Sequence, residues 1–153
     1  MTTTIAFPTL LETFFTDRLV RQKRASPHTI ASYRDTFSLL LRFTQQRLGK
    51  APSALALDDL DAPLISAFLD DLEQTRGTSA RSRNVRLAAI HSFFQYAALL
   101  APSHGGLIQR VLAIPSKRYD RTLIDFLTGA EIDVLLAVPD QHTWAGRRDR
   151  TLM

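Results

Sequence analysis

Residues 24–43 read Arg-Ala-Ser-Pro-His-Thr-Ile-Ala-Ser-Tyr-Arg-Asp-Thr-Phe-Ser-Leu-Leu-Leu-Arg-Phe, and they predict the start of a long amphipathic helix. Ser26 is a favourable N-cap, and Pro27 stands at the first helical position, where proline is tolerated. Apolar residues then recur at steps of three and four, as they do on the buried face of a helix. Gly49 and Pro52 end the pattern. The predicted buried face consists of Ile30, Tyr33, Phe37, Leu40, Leu41, Thr44 and Leu48.

The opposite face of this helix is polar or short-chained, and cations precede its start. A helix start with free N–H groups, hydroxyl side chains and nearby cations is suited to contacting phosphate. An ordinary solvated face explains this stretch equally well when it is taken alone. The face carries His28, Ala31, Ser32, Asp35 and Arg42, and the preceding cations are Arg21, Lys23 and Arg24.

The composition is that of a soluble globular chain and excludes several kinds of chemistry. With 153 residues, 45% hydrophobic and 22% charged, the chain is long enough for one domain, or for one domain and part of another. It has no cysteine, hence no disulfide or thiolate chemistry. It also lacks a glycine-rich phosphate loop and a nucleophile–base pair. The four histidines, which have no metal-ligand spacing, are His28, His91, His104 and His142.

We therefore expect no metal, no cofactor and no small-molecule substrate. The N-terminus does not have the pattern of a secretory signal, and no apolar run is long enough to span a membrane. A cytoplasmic location without a membrane partner is the corresponding expectation.

Charges are segregated along the chain. The net charge is +4. Residues 18–50 contain eight cations and one acid, residues 51–75 contain six acids and no cation, and residues 76–91 contain four arginines and no acid. This distribution predicts a basic face and an acidic face, and it makes an anionic partner plausible.

Further helices follow from capping residues and stop signals. The box Thr9-Leu-Leu-Glu12 predicts a first helix that starts at Thr9 and ends in the basic run near Arg24. Later helices are predicted from Asp61 to Gly77, from Thr78 or Ser79 to about Leu100, from Leu107 to Ala113, and from a second capping box at 127–131 through Val138, with a further element starting near Trp144.

The fourth of these helices changes character along its length. Ser79, Ser82, Arg83 and Arg86 lie on a stripe that continues as Ile90, Phe93, Phe94 and Ala97. We therefore expect its first half to project from the bundle towards an anion, with Arg83 and Arg86 dispensable for the core. The alternative is a frayed, solvated helix start.

Four segments, in this order, resemble the tyrosine recombinase family (phage integrases, including the Xer-like branch). They are Ser26-x-x-Thr29-x-x-x-Tyr33; Arg86-Leu-Ala-Ala-Ile-His-Ser-Phe-Phe-Gln-Tyr96; Pro115, Lys117 and Arg118 followed by Phe126-Leu-Thr-x-x-Glu131 and Leu135-Leu-x-x-Pro139; and Arg148-Asp-Arg150-Thr-Leu. Each motif is weakly specific alone, whereas their joint order and spacing are fairly specific. The resemblance extends from about Phe7 to Met153.

The resemblance implies an all-α, SAM-like bundle of four to five helices, followed by a basic linker and one or two orphan helices. The corresponding domains are 1–113 for DNA binding, 114–126 for the linker and 127–153 for the start of a catalytic domain. Double-stranded DNA is the implied partner, with other recombinase protomers on the same DNA. By position, the implied contacts are Thr29, Ser32, Arg81, Ser82, Arg86, Lys117 and Arg118, to which charge and helical face add Lys23, Arg24, His28 and Arg83.

The resemblance does not extend to the family's catalytic residues. The first catalytic arginine of the family follows the Arg-Asp-Arg segment, in a Thr-Gly-Leu-Arg motif that these 153 residues do not contain. We therefore expect no enzymatic activity from this chain, although the intact parent would be a site-specific recombinase. Two alternatives are a stand-alone DNA-binding regulator of recombination and a helical protein-interaction module without a nucleic-acid role.

Overall fold

The computed structural model describes residues 5–120 and 129–137, and its regular structure there is entirely helical. The predicted all-α, SAM-like architecture is confirmed. The helices are α1 (Phe7–Thr13), a π-helical segment (Phe14–Gln22), α2 (Pro27–Leu48), α3 (Ala62–Gln74), α4 (Ala80–Leu100), α5 (Gly105–Leu112) and α6 (Gly129–Ala137). Short 3-10 turns at Pro52–Ala54, Leu57–Asp59 and Pro102–His104 connect them.

The first helix begins earlier than the sequence predicts. Its N-cap is Ala6, Pro8 lies in its first turn, and no side chain caps it, so the expected start at Thr9 is wrong. Proline fixes φ at a helical value and needs no hydrogen-bond partner there, which allows the helix to start before Thr9. From Phe14 the helix widens to π geometry, and Phe14 and Leu19, five residues apart, are both buried.

The predicted bounds of α2 are confirmed at both ends. Ser26 caps its N-terminus, and Gly49 ends it in the left-handed conformation at φ 66°, which glycine adopts without steric cost. Phe37, Leu40 and Thr44 are buried. The predicted apolar face stops short of Leu48, which is exposed.

Helices α3 and α4 follow their predicted signals, whereas α5 starts earlier than expected. Asp61 accepts the Leu64 N–H at 2.9 Å to cap α3, and Gly77, at φ 64°, follows its end. Ser79 is the N-cap of α4. Helix α5 begins at Gly105, two residues before the predicted start at Leu107.

Phe14 lies at the centre of an aromatic core. Its ring is 5.5 Å from that of Phe93 in an edge-to-face arrangement and 6.3 Å from the parallel ring of Tyr33. Such pairs contribute about 0.5–1.5 kcal/mol beyond the burial of their area. The buried hydroxyls of Thr36 and Thr44 donate to carbonyls one turn earlier, so neither is left unsatisfied.

The chain divides into two compact units, Met1–Tyr119 and Asp120–Met153. Helix α6 is the described element of the second unit, and Ile132 and Val134 on it are exposed. Val138, Thr128 of the second capping box, and the predicted element from Trp144 onward lie outside the described residues. The three-part domain division stays a prediction.

Candidate nucleic-acid interface

A concavity of about 410 Å³ lies between the first halves of α2 and α4. It brings together four of the predicted contact residues, His28 and Ser32 from α2 with Ser82 and Arg86 from α4. Ala31, Asp35 and Val85 complete its lining. Residues that are far apart in the sequence therefore share one surface, which we call the α2–α4 concavity.

Both helices that line the concavity begin in the same way. Ser26 Oγ accepts the Thr29 N–H at 3.2 Å, and its hydroxyl lies 3.0 Å from that of Thr29. Ser79 Oγ accepts the Ser82 N–H at 3.2 Å and donates to Ser82 Oγ at 3.2 Å. Neither helix has an acidic residue in its first turn. The partial positive charge of each helix start is therefore not offset by a carboxylate within that turn.

Arg86 lines the concavity and is anchored to α2. It is half-buried, and its Nη1 donates to Thr36 Oγ1 at 3.2 Å, which ties α4 to α2. Thr36 Oγ1 in turn donates to the Ser32 carbonyl at 2.9 Å. A guanidinium has five N–H donors, so this bond fixes the side chain while other donors can point into the concavity.

The expectation that Arg83 projects from the bundle is wrong. Its residue surface is only 5% exposed, and its Nε lies 3.1 Å from Oε1 of Glu73 on α3. Those two atoms make no hydrogen bond with any described group, so their contact is electrostatic. Nη1 of Arg83 donates to the Pro115 carbonyl at 3.3 Å. Arg83 is therefore part of the packing between α3, α4 and the segment after α5.

Lys117 is also engaged within the protein. Its Nζ lies 2.9 Å from Glu73 Oε2. The side-chain amide of Asn84 makes two hydrogen bonds to the backbone of Lys117. Its Nδ2 donates to the Lys117 carbonyl at 2.7 Å, and its Oδ1 accepts the Lys117 N–H at 2.9 Å. We call this arrangement the linker clasp: Glu73, Arg83 and Asn84 hold Pro115 and Lys117. The predicted linker is thus fixed to α4 over its first residues.

The remaining predicted contact residues differ in their exposure to solvent. Thr29 is half-buried and its hydroxyl belongs to the α2 cap. Arg24 has a left-handed backbone at φ 47°, unusual for a residue with a side chain, between the π-helical segment and α2. Lys23, Arg24, Arg81 and Arg118 are exposed, as is Lys117, whose ammonium is paired with Glu73.

Sequence reasoning missed Glu73, Asn84, Thr36 and Val85. Glu73 belongs to a different helix from Arg83, so no local pattern identifies it as the partner of a buried arginine. Asn84 and Thr36 act through groups far away in the sequence, and nothing in the local pattern identifies them.

A second groove, of about 380 Å³, lies between α1 and α2 and is largely apolar. Its wall includes Phe7, Pro8, Leu11, Phe15, Phe37 and Leu41, with Glu12 and Arg34 as its charged members. Such a lining does not suit a phosphate, so the α2–α4 concavity is the better candidate for an anionic partner.

Within residues 5–120 and 129–137, no His, Asp and Glu group is arranged to hold a metal ion. In those same ranges, no helix is long and apolar enough to cross a membrane.

Residues 13–99 match the family model of the phage integrase N-terminal SAM-like domain, which confirms the resemblance drawn from the sequence. The chain therefore belongs to the integrase and tyrosine recombinase family, in which these residues correspond to the N-terminal domain.

Several curated proteins are similar in sequence over most of this chain. One from Sinorhizobium fredii, named as an integrase/recombinase, is 60% identical over 153 residues, which are 100% of this chain and 46% of that protein. A second protein so named from the same organism is 49% identical over 94% of this chain and 51% of its own length. The tyrosine recombinase XerC of Pelotomaculum thermopropionicum is 32% identical over 86% of this chain and 42% of its own length. The chain spans about half the length of these relatives. No solved structure matched the chain.

Proposed function

We propose that this chain is the DNA-binding domain of a site-specific tyrosine recombinase, and that it grips duplex DNA with the first halves of α2 and α4. The α2–α4 concavity carries this proposal, because it joins a cation, an imidazole and two hydroxyls from two helices whose starts are free of acids. These are the groups that proteins use to contact phosphates and base edges.

Different candidate residues have different proposed roles. His28, Ser32, Ser82 and Arg86 face the DNA from the concavity. Exposed Lys23, Arg24, Arg81 and Arg118 contact phosphates around it. We assign Arg83 and Lys117 to the linker clasp, since both side chains are paired with Glu73.

The catalytic centre of the parent protein, in this proposal, belongs to residues other than these 153. The whole recombinase would cut and rejoin DNA through a tyrosine–phosphate intermediate, alongside other protomers on the same DNA. This chain contributes grip and orientation to that reaction.

The experiment is a titration of labelled duplex DNA at a series of salt concentrations. Phosphate contacts release counterions, so log K should fall with log salt at a slope of about −0.9 per contact. Arg86→Ala should reduce affinity at every salt concentration, by about 1–3 kcal/mol if Arg86 reads a base. It should cost less than about 1.5 kcal/mol of stability, because Thr36 keeps its bond to Ser32.

Arg110→Ala is the matched control. It removes one cation from α5, where Arg110 shares a different depression with Asp58 and Asp61. Its affinity should remain close to that of the unmodified protein. An affinity independent of salt, or equal losses for Arg86→Ala and Arg110→Ala, would overturn the proposed DNA-binding surface.

A further inference from the structure

Val85 and Ala31 are the two apolar residues of the α2–α4 concavity, and Val85 has the larger side chain. It is 49% exposed, and it lies with His28, Ser32, Asp35, Ser82 and Arg86 on the lining between α2 and α4. Single exposed valines on an open surface need no explanation. Val85 instead lines the same concavity as Ser82 and Arg86, where a bound partner would meet all three.

The bundle does not need Val85 for its stability. The residues that hold α4 to the core, Leu87, Ile90 and Phe94, are fully buried on another face of the helix. A β-branched residue at an exposed helix position is also slightly less favourable than alanine. Neither packing nor helix propensity therefore explains an apolar side chain at position 85.

The chemistry of the major groove supplies the complementary group. Base edges there display hydrogen-bond donors and acceptors and one apolar substituent, the C5-methyl of thymine. An arginine next to the valine suits guanine, and the carboxylate of Asp35 can accept a hydrogen bond from the cytosine amino group. The concavity thus carries both polar and apolar means of distinguishing bases.

We propose that Val85 is a specificity-determining residue that contacts the C5-methyl group of a thymine in the target DNA. This inference rests on the proposed function, because it requires α4 to face the major groove. It extends that function from grip to sequence discrimination, with position 85 reading thymine against the other bases.

The test separates the methyl group from every other property of the base. Preferred duplexes are first selected from a random library with the unmodified protein, and each thymine is then replaced in turn by uracil, which lacks only the methyl. At one or two positions the unmodified protein should lose affinity about fourfold, as expected for one buried methyl group. Val85→Ala should bind the thymine and uracil duplexes equally.

Val20→Ala is the matched control, since Val20 is also an exposed valine, at 53%, but lies on the π-helical segment and outside the concavity. It should keep the full preference for thymine. Helical circular dichroism verifies that Val85→Ala is folded, which is expected because alanine favours the helix.

Two results overturn the inference and leave the proposed function standing: salt-dependent duplex binding with no thymine–uracil difference at any position, or an undiminished preference in Val85→Ala. Failure of the unmodified protein to retain any duplex overturns the proposed function and this inference together.

Discussion

Arg83 is the one buried charged side chain among the residues that the structure describes, and Glu73 is its counter-charge. Removing water from a guanidinium is costly unless a carboxylate and hydrogen-bond acceptors replace it. Here Glu73 supplies the charge and the Pro115 carbonyl supplies an acceptor. The partly exposed side chain of Glu73, at 25%, also pairs with Lys117, which spreads its charge over two partners.

Arg83→Ala should lower the free energy of unfolding by about 1–3 kcal/mol. The variant leaves Glu73 without its buried partner, but Lys117 and some solvent still reach that carboxylate, so the loss stays below that of a fully buried pair. Urea denaturation measures the change. Arg81→Ala, which removes an exposed arginine two residues earlier on α4, should stay within about 0.5 kcal/mol of the unmodified protein. Equal stability of both variants would contradict a stabilising role for the Arg83–Glu73 pair.

The position of Arg83 was available from the sequence, although its partner was not. Residues 83, 87, 90, 94 and 97 recur at helical spacing, and the last four are apolar, so the same periodicity places residue 83 on the buried side. Reading its charge as a sign of exposure gave the wrong prediction. Glu73 belongs to another helix, and only the packing of α3 against α4 brings the two together.

At the scale of the elements, helix ends were predicted well where one residue has a clear physical advantage. Ser26, Asp61 and Ser79 accept N–H groups at their helix starts, and Gly49 adopts a left-handed conformation that other residues resist. The predicted helix start at Thr9 is wrong because Pro8 allows the helix to begin before it. The π-helical segment had no local signal, since its widening accompanies the burial of Phe14 in the aromatic core.

The contact between α4 and α5 should make stability depend on pH. His91 Nε2 lies 3.1 Å from the Val111 carbonyl, and because a carbonyl only accepts, that nitrogen carries the hydrogen. Partial burial lowers the pKa of His91 below its ordinary value of 6.5, against the opposing effect of the bond to Val111. Between the lowered pKa of the folded state and pH 6.5, the folded protein therefore binds fewer protons at His91 than the unfolded chain does.

The contribution of His91 is fully present above pH 6.5 and is lost as the pH falls from there through the lower pKa of the folded state. Urea denaturation of the unmodified protein and of His91→Gln at pH 8, 7, 6 and 5 isolates this contribution, since a glutamine amide can donate to Val111 without titrating. The stability difference between the two proteins should change in favour of His91→Gln as the pH falls. A stability difference between the two proteins that does not vary with pH would contradict the lowered pKa of His91.

At the scale of the whole molecule, the three tyrosines bear on whether the chain can attack DNA. Tyr33 stacks on Phe14 and Tyr96 is buried in the same aromatic core, whereas Tyr119 is exposed. A recombinase nucleophile needs an accessible hydroxyl next to groups that stabilise a phosphate in transfer. The two core tyrosines are held by packing and serve stability.

We therefore expect the chain to form no covalent adduct with DNA. A nicked duplex that traps a tyrosine–phosphate intermediate should give no shifted band on a denaturing gel. Tyr119→Phe, run in parallel, should behave identically. A denaturation-resistant band that disappears in Tyr119→Phe would show that this chain has a reactive tyrosine and would overturn its assignment as a binding domain alone.

The shared surface of α2 and α4 is the part of the proposed site that composition could not locate. Local patterns identified Ser32 and Arg86 as polar positions on separate helices, and the family resemblance supplied the expectation that these helices face one partner. Their actual meeting depends on the packing that brings Arg86 to Thr36. The acidic residues within 51–75 are likewise not all directed to solvent, since Glu73 is part of the linker clasp.

The linker clasp shortens the tether to anything that the chain carries after it. A tether that began at Ile114 would contain four more residues than one that begins at Arg118, and an extended residue spans at most about 3.3–3.6 Å. Holding Pro115 and Lys117 against α4 thus removes about 14 Å of maximum reach. Asn84, through two hydrogen bonds to the backbone of Lys117, therefore sets the point from which the chain leaves the helical bundle.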